Sequence, residues 1–169
     1  MPDATRILGI DPGLQLTGYG VVVLDEGPGL AEPRLVEGGV IRLKPKTSVE
    51  HRLVELHREL LELIDEHQPN VLAIEKLYAH YKHPRTAIVM AHARGVILLA
   101  AKLRAVEIAH LPSTEVKKAV TGHGHASKQQ VQRAVQSQYR LAEPPTPFDV
   151  ADAIAIATCH ARRMAVERL

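Results

Sequence analysis

Residues 6–13 read Arg6-Ile7-Leu8-Gly9-Ile10-Asp11-Pro12-Gly13. A short apolar run followed by Pro-Gly is a buried strand ending in a turn, so the chain delivers one carboxylate, Asp11, to the end of that strand. Working outward, the Val-rich stretch Thr17 to Leu24 returns as a second strand. Residues 34–43 alternate through Leu35, Val40, Ile41 and Leu43 and predict a third, broken by Gly38-Gly39. These three make an antiparallel meander. Val71-Leu72-Ala73-Ile74 is a continuous apolar run stopping at Glu75, the pattern of a strand covered on both faces.

Helical signals fill the spaces between strands. Between Thr47 and His67 the positions Val49, Leu53, Leu56, Leu60, Leu63 and Ile64 recur at helical spacing, with Thr47 and Glu50 as a capping box. Pro69-Asn70 ends that helix. A second runs from Pro84 to Leu103, followed by a strand at Val106–Ala109 and a short helix starting at Pro112-Ser113. Residues 121–125 are a loop, Ser127 with Gln130 caps a further helix, and Pro147 sits in the first turn of the last one. The pattern predicts an α/β protein with a mixed five-stranded sheet and helices on both faces. A chain of 169 residues suits one domain, residues 1–169.

Hydrophobic residues at 46% and charged residues at 24% are the balance of an ordinary globular protein, which excludes a disordered chain. Aromatics are only 3%, so the core is aliphatic. No signal-peptide pattern follows Met1-Pro2-Asp3, no apolar run approaches a membrane span, and Cys159 stands alone. The expectation is a cytoplasmic protein with no membrane partner and a buried, unpaired thiol. The net charge of +2 is unevenly spread. Residues 1–75 hold 7 basic and 13 acidic groups, a balance of −6, and residues 76–169 hold 14 and 6, a balance of +8. A basic half beside clustered acids suits a nuclease, with Lys and Arg on phosphates and carboxylates on metal; a solvated basic face would look the same.

Asp149 and Asp152 stand at i and i+3 near the start of the last helix and so share a face. In α/β sheets the rim at the strand ends is where sites form, and Asp11 and Glu75 both end strands. Four acids meeting there would repel unless divalent cations neutralised them, and hard cations take oxygen ligands. Each acid also has a plain reading, as a turn residue, a surface group or a helix N-terminal charge. Spacing alone leaves both open.

The segment Ile7 to Gly13, continuing through Thr17-Gly18-Tyr19-Gly20, resembles the opening of RuvC-type Holliday junction resolvases. Ala73-Ile74-Glu75-Lys76-Leu77-Tyr78 resembles that family's second acidic motif, and Ala93-Arg94-Gly95 a landmark on the next helix. Val116 to Gly122 resembles its lysine-containing stretch, and Asp149 to Ala157 its final acidic helix. The resemblance implies a ribonuclease-H-like fold and a homodimer that nicks two opposing strands of four-way junction DNA. It implies two Mg²⁺ per site, replaceable by Mn²⁺, held by Asp11, Glu75, Asp149 and Asp152. It also implies that Lys117, Lys118 and Lys128 act on phosphate, with Lys128 among the catalytic groups, that Tyr78 meets a base, and that a RuvA–RuvB branch-migration complex is a partner. The helix around Met90, Ala91, Arg94, Gly95, Leu98 and Leu99 offers small and apolar residues that could pack against their own copies.

Alternatives are weaker. The pairs His80/His83 and His123/His125 lack zinc-finger or zincin spacing and read as surface groups near phosphate. Actin-like sugar kinases share the Gly-Ile-Asp-Pro-Gly phrase but need two domains. A junction-binding protein without catalysis would have no use for four intact acids.

Overall fold

The computed structural model describes residues 4–25, 27, 31–77 and 83–169. Strands β1 (Thr5–Asp11), β2 (Leu16–Leu24) and β3 (Arg34–Arg42) form the antiparallel meander, and β4 (Val71–Glu75) and β5 (Glu107–Leu111) run parallel to β1. The sheet order is β3-β2-β1-β4-β5. Helices α1 (Val49–His67) and α2 (Pro84–Leu103) cover one face, and α3 (Ser113–Thr121), α4 (Lys128–Gln138) and α5 (Phe148–Glu167) the other. Strand alternation explains the two cores. Ile7 and Ala73 point to the α5 side, whereas Leu8, Ile10, Leu72 and Ile74 point to the α1 and α2 side.

Several boundaries differ from the sequence reading. Ser48, not Thr47, caps α1: its hydroxyl accepts from the His51 N–H at 3.4 Å, while the Thr47 hydroxyl donates to the Lys44 carbonyl at 2.9 Å and closes the preceding turn. Pro147 is itself the cap of α5 rather than part of its first turn. β5 reaches Leu111, because main-chain pairing with β4 continues past the polar His110. Gly38-Gly39 does not break β3. Its irregularity lies opposite Val21 and Val22, and the two glycines remain paired. They are there for space: a Cβ on Gly38 would stand 2.8 Å from Ile154 of α5, and one on Gly39 2.5 Å from the Tyr19 hydroxyl.

Contrary to the sequence reading, α2 is long and apolar enough by composition to cross a membrane. The cause is that both faces are apolar. Ala93, Ile97, Ala100 and Ala101 are buried in the core shared with α1, while Ile88, Leu99 and Leu103 point outward at 57%, 53% and 57% exposure. Cys159 is buried in α5 as expected, and burial pushes its thiol up to about 12.

Candidate active site

The pairing of β1 with β4 sets the first two acids. Ile10 is opposite Ile74 in a parallel register, so the next residues, Asp11 and Glu75, leave the sheet side by side at one end. The turn behind Asp11 is tied by Thr17, fully buried, whose hydroxyl donates to the Gly13 carbonyl at 2.7 Å and accepts from the Gly13 N–H at 3.1 Å. The second pair arrives on α5. Asp11 pairs with Gly18 of β2, and the missing side chain of Gly18 lets the first turn of α5 rest on the strand. Gly9 does the same deeper in, where a Cβ would lie 2.2 Å from the Ala153 carbonyl oxygen. Helix α5 is thereby pressed onto the sheet with Asp149 and Asp152 over the rim.

The electrostatics show that the four acids share one field. Burial, and after it the charges of Asp152, Asp149 and Glu75, push Asp11 well above the usual carboxylate range, against a lowering by Lys128. Glu75 is raised by burial and by Asp152, with Lys117 and Lys128 opposing. Asp152 is raised by burial and by Asp149, and Lys128 and Lys117 hold it down. The Lys128 ammonium is 3.9 Å from Asp152 Oδ2. Such an arrangement fits divalent cations, since crowded, half-buried carboxylates are an oxygen donor set whose repulsion only positive charge relieves.

Beside the acids opens a cleft of about 380 Å³ lined by Asp11, Glu75, His83, Thr86, Met90 and Arg94 among others. Arg94 is a residue whose role sequence reasoning missed, although the motif around it was noticed. Its guanidinium donates to the Glu75 carbonyl and also reaches His110 Nδ1 at 2.6 Å. A guanidinium only donates, so that ring nitrogen accepts, in keeping with the lowering of His110 by burial and by the charges of Arg94 and Lys76. The other sequence candidates divide. Lys117 and Lys128 lie within reach of the acid field. Lys118 is exposed on the other side of α3, in a groove with Arg162 and Arg163. Tyr78 and His80 lie outside the described residues. The His123 and His125 rings meet edge to face, 5.9 Å apart. Of the six residues proposed for self-packing, Ala91, Gly95 and Leu99 are exposed, whereas Arg94 turns inward to Glu75 and Leu98 packs on the core.

Residues 7–160 match the family described as Crossover junction endodeoxyribonuclease RuvC. The protein of that name from Rhodopirellula baltica is 49% identical over 156 residues, 92% of this chain and 85% of the relative. The one from Hydrogenovibrio crunogenus is 43% identical over 96% of this chain and 90% of its own length. A solved structure of Thermus thermophilus RuvC in complex with Holliday junction substrate superposes with a TM-score of 0.84 at 32% identity, covering 96% of both chains. The yeast mitochondrial Holliday junction resolvase, at a TM-score of 0.65 and 16% identity, shares the fold over 98% of this chain and 85% of its own. With a family match over residues 7–160, a relative 49% identical over 92% of the chain and a solved structure that superposes over 96% of it, this chain belongs to the crossover junction endodeoxyribonuclease RuvC family.

Proposed function

We propose that this chain, acting as one domain and as a homodimer, resolves four-way DNA junctions in recombination and repair by nicking two opposing strands with divalent cations. The observation that carries the reading is the meeting of Asp11, Glu75 and the start of α5 at one sheet end, with Lys117 and Lys128 beside them. Asp11, Glu75, Asp149 and Asp152 would hold two Mg²⁺, with Mn²⁺ as a substitute. Cations in such a site supply Lewis-acid stabilisation to the attacking and leaving oxygens of a phosphodiester. The protein's own part is to position and to balance charge. Lys128, 3.9 Å from Asp152 Oδ2, offsets the charge of that acid and would meet a phosphate held beside it, and Lys117 supports it from α3. Lys118 and Tyr78 complete the DNA contacts, the tyrosine by stacking on an unpaired base.

Paired nicks call for paired sites, and two-fold dimers are the commonest oligomers. The outward stripe of α2, with Ile88, Leu99 and Leu103 around Gly95, supports a self-packing face, because a water-exposed apolar row of that kind gains by being covered. A cytoplasmic location and work alongside a RuvA–RuvB branch-migration complex follow from the same reading.

The test compares a synthetic four-way junction with a linear duplex of the same sequence, each with and without Mg²⁺. Symmetric nicking of the junction only, and only with the cation, is expected. Equal cutting of both substrates overturns the assignment.

A further inference from the structure

A second group of metal-ligating side chains lies away from the acid rim. Glu37 of β3 and Glu66 and His67 at the end of α1 bring one ligand atom each to within 4.8 Å of one another, a closeness that no three acids of the rim reach. The end of α1 lies by the start of β1, where the Asn70 N–H donates to the Arg6 carbonyl, whereas Asp11 is at the other end of that strand. Glu37 and His67 are 30 residues apart in sequence, which is why no spacing motif announces them.

Two features separate this group from an ordinary surface cluster. His67 is only 6% exposed, and its Nε2 is buried with no hydrogen-bond partner. Buried polar atoms are seldom left so, since the loss of water is then uncompensated. That nitrogen faces Glu37 Oε2 at 3.3 Å, an ion-pair distance without hydrogen-bond geometry. Donors bonded tetrahedrally at about 2.0–2.1 Å stand about 3.3–3.4 Å apart, so the spacing suits two ligands of one small dication. Glu37 is also oriented in advance. The Tyr19 hydroxyl donates to its other oxygen at 2.6 Å, and the ring reaches there across the bare main chain of Gly39. A carboxylate fixed on one oxygen in this way presents the other, which is how supporting groups aim metal ligands.

Glu66 is exposed and free to close on a third position. The C-terminal end of α1 adds the negative end of a helix dipole, which favours a cation. We propose that Glu37, Glu66 and His67 bind a first-row transition dication, Zn²⁺ foremost, that ties the end of α1 to β3. Imidazole with carboxylate suits Zn²⁺ better than Mg²⁺, so this site and the acid rim differ in chemistry.

Equilibrium dialysis of the full chain against Zn²⁺ alone tests it, comparing wild type with Glu66→Gln and His67→Gln. Glu66 is at the surface, so its variant keeps the fold even if the His67 change does not. Wild type is expected to retain one more Zn²⁺ per chain than Glu66→Gln, other sites cancelling in the comparison. At Zn²⁺ a hundredfold above Kd the wild-type melting temperature should rise by about 5–10 °C more than that of the variant. Equal zinc content with equal shifts overturns the site. So does a difference in melting temperature that is the same with and without Zn²⁺, which would leave the three residues as an ion pair only.

Discussion

The main chain of Asp149 rests on Gly18: a Cβ on Gly18 would stand 2.0 Å from the Asp149 carbonyl oxygen. The glycine is therefore a distance setter for the acid site, because Gly18 is also the β-sheet partner of Asp11. Gly18→Ala should push the first turn of α5 off the strand. Overpacking of this kind costs about 1–3 kcal/mol of stability, and a displacement of about 1 Å at a catalytic group lowers a rate about 100-fold. Chemical denaturation and junction nicking measured together check it; normal nicking would mean the helix docks without that contact.

Asp11→Asn should abolish nicking while raising stability in a chelator. Loss of several kcal/mol of charge stabilisation slows the step at least about 100-fold. The sign of the stability effect follows from Asp11 being raised in the fold by burial and its acidic neighbours. A carboxyl raised above its unfolded value of about 3.9 contributes stability at low pH that is lost as pH climbs through its folded value. Removing the charge restores that loss at neutral pH, at about 2–4 °C per kcal/mol for a chain of this size, and restores nothing below the unfolded value. Junction binding, which rests on Lys and Arg, should survive in gel shifts. A less stable variant at neutral pH would contradict the reading.

Lys128→Ala should slow nicking by up to about 100-fold and move the acid limb of the pH–rate profile upward. The direction comes from Lys128 lowering Asp11, Glu75 and Asp152: without it all three hold their protons to higher pH. An unmoved limb would make Lys128 a strand contact alone.

Arg94 positions Glu75 through that residue's own carbonyl. Arg94→Ala should cost about 1–3 kcal/mol by leaving the carbonyl unpaired, and kcat should fall with KM for the junction nearly constant. Lysine lacks the fork that spans Glu75 and His110, so Arg94→Lys should not restore kcat. Single-turnover nicking separates the two parameters, and rescue by lysine would leave only a charge effect.

Leu99→Glu, on the exposed stripe of α2, should halve the mass seen by light scattering from about twice 18.5 kDa to the single chain, with little change in melting temperature. A variant that stays dimeric would place the dimer contact elsewhere.

Local signals determined much of this protein. The apolar runs ending in Asp11 and Glu75, the 3.6-residue period of α1 and the Ser127–Gln130 cap depend on neighbours a few residues away, and their elements formed where the sequence placed them. Four acids were legible as candidates for the same reason. Their meeting was not. It required the register of β1 on β4 and the docking of α5 on Gly9 and Gly18, contacts between segments up to about 140 residues apart. The same holds for Arg94 reaching the Glu75 carbonyl and for His67 facing Glu37, since a side chain's partner across the fold leaves no mark in its own neighbourhood. Even the cap of α1 passed from Thr47 to Ser48 on a choice between two adjacent hydroxyls. What a residue is and how its nearest neighbours repeat can be read along the chain; which distant groups it meets is decided only when the sheet closes and the helices pack.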